Sequence, residues 1–159
     1  MNATEERPLD RWFARYSRDH RNAINQKIQC LAVPAILWSL LALLWCIPVF
    51  GTWMKSGVWS ALAMFAAWMF YNRMSRRLGL GMLAIFISMS WLMRWVESVL
   101  GVEHLFWMAV AALILGWVAQ FIGHRIEGRR SSLPTDLAYL LIGPAWNVAK
   151  FYRVMGWRY

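Results

Sequence analysis

The stretch IQCLAVPAILWSLLALLWCIPVF, Ile28–Phe50, carries no charged side chain and exceeds the ~20 helical residues that cross a bilayer core. It reads as a transmembrane helix, and the rest of the chain is read outward from it. Downstream follow a shorter apolar run, Gly57–Tyr71, then Leu78–Leu100 with Arg94 and Glu97 near its far end, then Leu105–Ile122. The short run is completed as a span by Trp53, Met54 and the aliphatic stem of Lys55, whose ammonium snorkels outward. Composition agrees: 60% of the 159 residues are apolar or aromatic and 16% are charged, far from the soluble balance. The expected fold is all-α: a single polytopic membrane domain over 1–159, with four transmembrane helices at about 28–50, 57–71, 78–100 and 105–122.

Lys and Arg number 17 against 8 acidic residues, a net charge of +9. In a soluble protein that excess points to nucleic acid; in a polytopic one it marks cytoplasmic loops and attracts anionic headgroups, so no nucleic-acid partner is expected. The basic residues alternate as the positive-inside rule demands. Arg7, Arg11, Arg15, Arg18, Arg21 and Lys27 precede the first span, and Lys55 alone follows it. Arg73, Arg76 and Arg77 lie in the second loop, none in the third, and Arg125, Arg129, Arg130, Lys150, Arg153 and Arg158 after the last span. An integral, multi-pass protein with both termini cytoplasmic is expected, in a bacterial inner membrane rather than the endoplasmic reticulum.

Two flanking segments complete the plan. Over residues 9–21, Arg11, Arg15 and Arg18 share one helical face and Trp12, Phe13 and Tyr16 fall roughly opposite, the pattern of an amphipathic interfacial helix. Residues 133–155 open with helix-start chemistry and carry Gly143-Pro144, which predicts two short interfacial pieces or a re-entrant hairpin. Cys30 and Cys46, ~24 Å apart along a helix, cannot pair. The mixed polar N-terminal stretch does not read as a cleavable signal peptide, and none is expected.

Polar groups at membrane depth are costly and mark function by default. Asn25 and Gln29 stand one turn apart, and Gln120, His124 and Glu127 follow i, i+4, i+7. The topology puts His20, Asn25, Gln29, Gln120, His124 and Glu127 at one depth, the cytoplasmic edge, and puts His104 on the other side of the membrane. Two imidazoles and a carboxylate, His20, His124 and Glu127, form the ligand set of a mononuclear Fe(II) centre with open positions, and zinc accepts the same donors. The same residues also have a purely structural reading: His124 caps the last helix and Glu127 pairs with Arg125 or Arg130. Arg94 and Glu97, at i, i+3, neutralise one another. The tryptophans are scattered as belt and packing residues.

Asp19-His20-Arg21-Asn22 to Asn25, Ala32-Val33-Pro34, the block Gln120-Phe121-Ile122-Gly123-His124-Arg125-Ile126-Glu127-Gly128-Arg129-Arg130, Asp136-Leu137 and Leu141-Ile142-Gly143-Pro144-Ala145-Trp146 together resemble one family. It is the family of 2-hydroxy fatty acid dioxygenases of yeast phytosphingosine breakdown and their bacterial homologues. The resemblance runs from about Trp12 to Tyr159. It implies Fe(II)- and O2-dependent α-oxidation of a membrane-partitioned 2-hydroxy fatty acid, leaving an acid one carbon shorter. It further implies iron on His20 and His124 with Glu127 as the acidic residue, catalysis by the same three, and substrate contacts from Asn25, Gln29, Gln120, Arg129 and Arg130. One position departs: where the family pattern has a further histidine four residues after the asparagine, this chain has Gln29, a poor donor to iron. The third ligand is then Glu127, or Asp19 or Asp136; otherwise the chain is a non-catalytic lipid-binding or scaffold protein.

Overall fold

The computed structural model describes residues 8–19, 21–49, 56–128 and 133–157. Six helices follow in order: α1 (Pro8–Asp19), α2 (Ala23–Cys46), α3 (Val58–Met74), α4 (Arg76–Leu100), α5 (Val102–Glu127) and α6 (Leu133–Val154). No strand occurs among the described residues.

Local chemistry sets the boundaries. Asn22 caps α2, its Oδ1 accepting from the N–H groups of Ile24 (2.8 Å) and Asn25 (3.4 Å), so the helix begins before the apolar run and takes in the polar turn ahead of it. It stops at Cys46 rather than Phe50, because Ile47 precedes Pro48 and is held extended (φ −66°, ψ 123°), away from the helical region. Gly57, at φ +92°, starts α3, and a Cβ there would lie 2.7 Å from the Trp45 ring. One residue, Ser75, both ends α3 and caps α4, its Oγ accepting from Leu78 N–H at 3.5 Å. Gly101 and Gly128, both at positive φ, bracket α5.

α2 and α5 pair antiparallel over their whole length. The start of α2 meets the end of α5 through Glu127, and Cys46 Sγ at its end lies 3.8 Å from Val102 O at the start of α5. The helices approach closely at glycine, where a Cβ on Gly116 would sit 2.6 Å from Ile36 Cγ1, the small-residue packing of membrane bundles. α3 and α4 form the neighbouring hairpin, with Leu78, Met82, Phe86, Met93 and Tyr71 buried in the shared core.

Among the described residues, three helices, α2, α4 and α5, are long and apolar enough to cross a membrane, one fewer than expected. The shortfall is α3. Its 17 residues span ~25 Å at 1.5 Å each, less than a ~30 Å hydrocarbon core. The residues expected to lengthen it, 53–55, lie outside the described set. Trp59, Trp91, Trp95, Trp107 and Trp117 are exposed on the bundle's surface, whereas Trp38, Trp45 and Trp68 pack against the core.

The expected break at Gly143-Pro144 does not occur; α6 runs through it as one helix. Pro144 has no N–H for the carbonyl of Leu140. At the next position the carbonyl of Leu141 accepts the Tyr71 hydroxyl at 2.7 Å, so α3 supplies a donor where the α6 ladder is weakest. Gly143 lets α6 press onto two helices, since a Cβ there would lie 3.1 Å from Val33 Cγ1 and 3.2 Å from Tyr16 Oη. α1 docks on α6. Tyr16 packs on Tyr139 and Trp146 at centroid distances of 5.0 and 5.2 Å, and Trp146 Nε1 donates to Ser17 Oγ at 3.0 Å. Burial, with smaller effects from Cys30 and Tyr139, pushes the Tyr16 hydroxyl pKa up. Arg11, Arg15 and Arg18 stay exposed on the other face.

Replacing Tyr71 by Phe removes one hydroxyl and leaves the Leu141 carbonyl without that donor. A loss of about 1–2 kcal/mol is expected, read as a lowered detergent-phase melting temperature. An unchanged melt would mean that Pro144 is tolerated without Tyr71.

Candidate functional site: the polar seam between α2 and α5

At the end of the bundle where α2 begins and α5 finishes, four of the expected residues join in one hydrogen-bonded chain. The Glu127 carboxylate accepts Arg21 N–H on Oε1 (2.8 Å), Asn22 N–H on both oxygens (3.2 and 3.1 Å) and Asn25 Nδ2 on Oε2 (2.9 Å). Gln29 Nε2 donates to Asn25 Oδ1 at 3.4 Å and to Gln120 Oε1 at 3.1 Å. Asn25 and Gln29 are 0% and 1% exposed, so these bonds carry the desolvation of both amides. His124 is half-buried on the same helix, between Gln120 and Glu127.

Gly123 makes the seam possible. A Cβ there would run into Asn25 Oδ1 and lie 3.5 Å from Gln29 Nε2. Glycine at 123 and the cap residue Asn22 went unread in the sequence as functional positions. The signals were present: Gly123 lies inside the Gln120–Glu127 block, and Asn22 directly precedes the helix.

The other expected site residues fall elsewhere. His20, Arg129 and Arg130 lie outside the described residues, as do the side chains of Asp19 and Asp136. Among the described residues, no three His, Cys, Asp or Glu side chains come together as a metal-binding group. The described donors on the seam comprise one imidazole, His124, and one carboxylate, whose acceptor positions are engaged by four N–H contacts. A two-histidine ligand set therefore requires His20, whose chain neighbour Arg21 is already held on Glu127. His104, in the first turns of α5, is ~30 Å from His124 along the helix.

At that far end, Glu97 accepts from Arg94 Nη1 (2.9 Å), Trp45 Nε1 (3.2 Å) and Ser56 Oγ (2.7 Å). Arg94 and Glu97 thus neutralise one another as expected, and their cluster ties α4 to α2. On the α6 side of α2, Lys150 Nζ donates to Gln26 Oε1 (3.1 Å) and stands 5.1 Å over the Trp146 ring. Cys30 Sγ lies 3.6 Å from Asn147 Oδ1, and both cysteines are free thiols.

Compared with known protein families, residues 7–155 match the one described as 2-hydroxy-palmitic acid dioxygenase Mpo1-like. The chain belongs to this family. The match covers all six helices, and the seam from Arg21 to Glu127 lies within it. No curated protein and no solved structure matches the chain.

Substituting Ala at Gly123 is expected to part α2 from α5 at the seam and cost about 1–3 kcal/mol as an overpacking change. Detergent melting of the variant beside Ala119→Gly, a shrinking change one turn away, checks this. Equal small shifts in both would show that the close approach of Asn25 to α5 is not needed.

Proposed function

We propose that this protein is a membrane dioxygenase acting on long-chain 2-hydroxy fatty acids and shortening them by one carbon. The observation that carries the reading is the family match over residues 7–155. The α2–α5 seam supports it, because polar chemistry at this depth is gathered at one end of the bundle, where an amphiphile's carboxylate and 2-hydroxyl rest while its chain stays in lipid. In this reading His20 and His124 hold iron, with zinc the alternative metal. Bound Fe(II) supplies the electrons that allow ground-state O2 to react with the substrate. Arg129 or Arg130 receives the substrate carboxylate, and the half-buried Gln120 borders the hydroxyl-bearing carbon, with Asn25 held behind it in the seam. Glu127, taken above as a ligand and catalytic carboxylate, acts here as a positioning residue: its oxygens tie the chain at Arg21 and Asn22 beside the His124 helix. Each CH2 of the acyl chain kept in the apolar phase contributes ~0.8 kcal/mol to retention. The protein works in the membrane as a multi-pass enzyme with this basic end cytoplasmic.

A second reading is a lipid-binding or scaffold protein without iron chemistry. It is favoured by Gln29, whose amide is committed to Asn25 and Gln120.

The deciding experiment measures metal content of the detergent-purified protein and consumption of 2-hydroxypalmitate with Fe(II) and O2. The dioxygenase reading expects near-stoichiometric iron and turnover, both reduced at least tenfold in His124→Ala. Turnover and iron that persist in that variant would remove His124 from the metal. Metal binding that arises only in Gln29→His would favour the scaffold reading.

A further inference from the structure

Of the Lys and Arg residues whose side chains are described, all are exposed except Lys150, which is half-buried where α6 lies against the start of α2. A cation suits the C-terminal end of a helix, but an exposed one such as Arg153, a turn further on, already meets that need. Lys150 is instead drawn inward. Its Nζ donates to Gln26 Oε1 at 3.1 Å and stands 5.1 Å over the Trp146 ring, and among the described residues it pairs with no carboxylate. An ammonium has three N–H bonds, so Gln26 leaves two for another acceptor. One turn earlier on the same face of α6, the half-buried Asn147 accepts the Cys30 thiol on Oδ1 at 3.6 Å. That contact occupies the oxygen and leaves the Nδ2 donors without an acceptor among the described residues. A turn further along α6, Gly143 closes on Val33, so the two polar side chains stand at the rim of the α2–α6 contact.

We propose that Lys150 and Asn147 form a site for the carboxylate of a long-chain fatty acid, on the α6 side of α2 and apart from the seam with α5. Positions i and i+3 of a helix set two side chains next to one another, and a carboxylate has two oxygens to share between them. One accepts from the ammonium in a charge-assisted bond and the other from the amide. The single charge of Lys150 balances a single carboxylate, and the Trp146 face beneath the amine holds it in place without neutralising it. The acyl chain has an apolar path beside the pair. Leu31, next to Cys30, and Phe151, next to Lys150, are 78% and 57% exposed, so a chain leaving the carboxylate stays in the apolar phase. Substrate and product of the proposed reaction are both acids of this class, yet the site does not rest on that reading, since it needs neither iron nor a 2-hydroxyl.

Native mass spectrometry of the full chain released from detergent tests it, with palmitate, hexadecanol and phosphatidylglycerol titrated separately at a mildly alkaline pH that keeps the acid ionised. One palmitate is expected to be retained, at least fivefold more weakly in Lys150→Met, which keeps the stem over Trp146, and in Asn147→Asp, whose own carboxylate takes Lys150. Lys150→Arg holds palmitate to within twofold, and Arg73→Gln, an exposed cation at the end of α3, leaves binding unchanged. Melting temperatures of the variants separate loss of the site from loss of the fold: the fivefold loss in an Asn147→Asp protein that melts like the parent supports the site even where Lys150→Met unfolds. Palmitate held equally by folded Lys150→Met or Asn147→Asp, hexadecanol held as well as palmitate, phosphatidylglycerol retained in its place, or an equal loss in Arg73→Gln would overturn the site.

Discussion

The carboxylate of Glu127 against the start of α2 is the constraint on which the rest of the molecule is arranged. A helix leaves its first N–H groups without partners, and beside lipid each such group costs several kcal/mol. Here Glu127 takes the N–H groups of Arg21 and Asn22, while Asn22 Oδ1 takes those of Ile24 and Asn25. A negative charge at a helix N-terminus is also favoured by the dipole. The same carboxylate ends α5, so one group fixes which end of α5 meets which end of α2 and sets the register of this antiparallel pair.

From that pairing the other helices are placed. α4 is tied to α2 at the far end by Glu97 and Trp45, and α3 is threaded between them by Gly57 and Ser75. α6 crosses the seam end of the bundle, touching α2 at Gln26 and Cys30, α3 at Tyr71 and α4 at Arg77. The proline-containing helix is packed there against α2, α3 and α4, and α3 donates the Tyr71 hydroxyl to the Leu141 carbonyl one residue beyond the one that Pro144 leaves without a donor. α1 then packs on α6 through aromatic contacts, its arginines facing out. The exposed basic side chains gather at this end, the partition from which the alternating topology was read.

That partition explains what was legible in the sequence. Long apolar runs located α2, α4 and α5, and their alternation put Asn25, Gln29, Gln120 and Glu127 at one end of the bundle, where the structure joins them. Helix ends were less legible, because they depend on single residues whose effect is local: Pro48 cuts α2 short, and Asn22 extends it upstream. The continuity of α6 was not legible at all. Gly-Pro predicts a break from backbone chemistry alone, and what opposes it, the packing of α6 on α2, α3 and α4 with contacts such as that of the Tyr71 hydroxyl seventy residues away, exists only after folding. Whether Glu127 faces a metal or a helix end was equally undecidable from spacing, since i, i+4, i+7 defines a face and not what lies opposite.

The orientation of the buried amides follows from the same charge and bears on Gln29. Glu127 can only accept, so Asn25 turns its Nδ2 toward the carboxylate and its Oδ1 toward Gln29. Gln120 also presents an oxygen. Position 29 must therefore supply donors to two acceptors, which a primary amide does with its two N–H bonds and a neutral imidazole, having one, does not. Glutamine at 29 is thus matched to a closed, satisfied seam. A metal set including position 29 would open that seam and leave the fully buried Asn25 or the half-buried Gln120 short of a donor, a cost of about 1–3 kcal/mol where the group is Asn25. In this chain, then, position 29 belongs to the closed seam that holds α2 against α5, and the seam is a rigid support for whatever lies beside it.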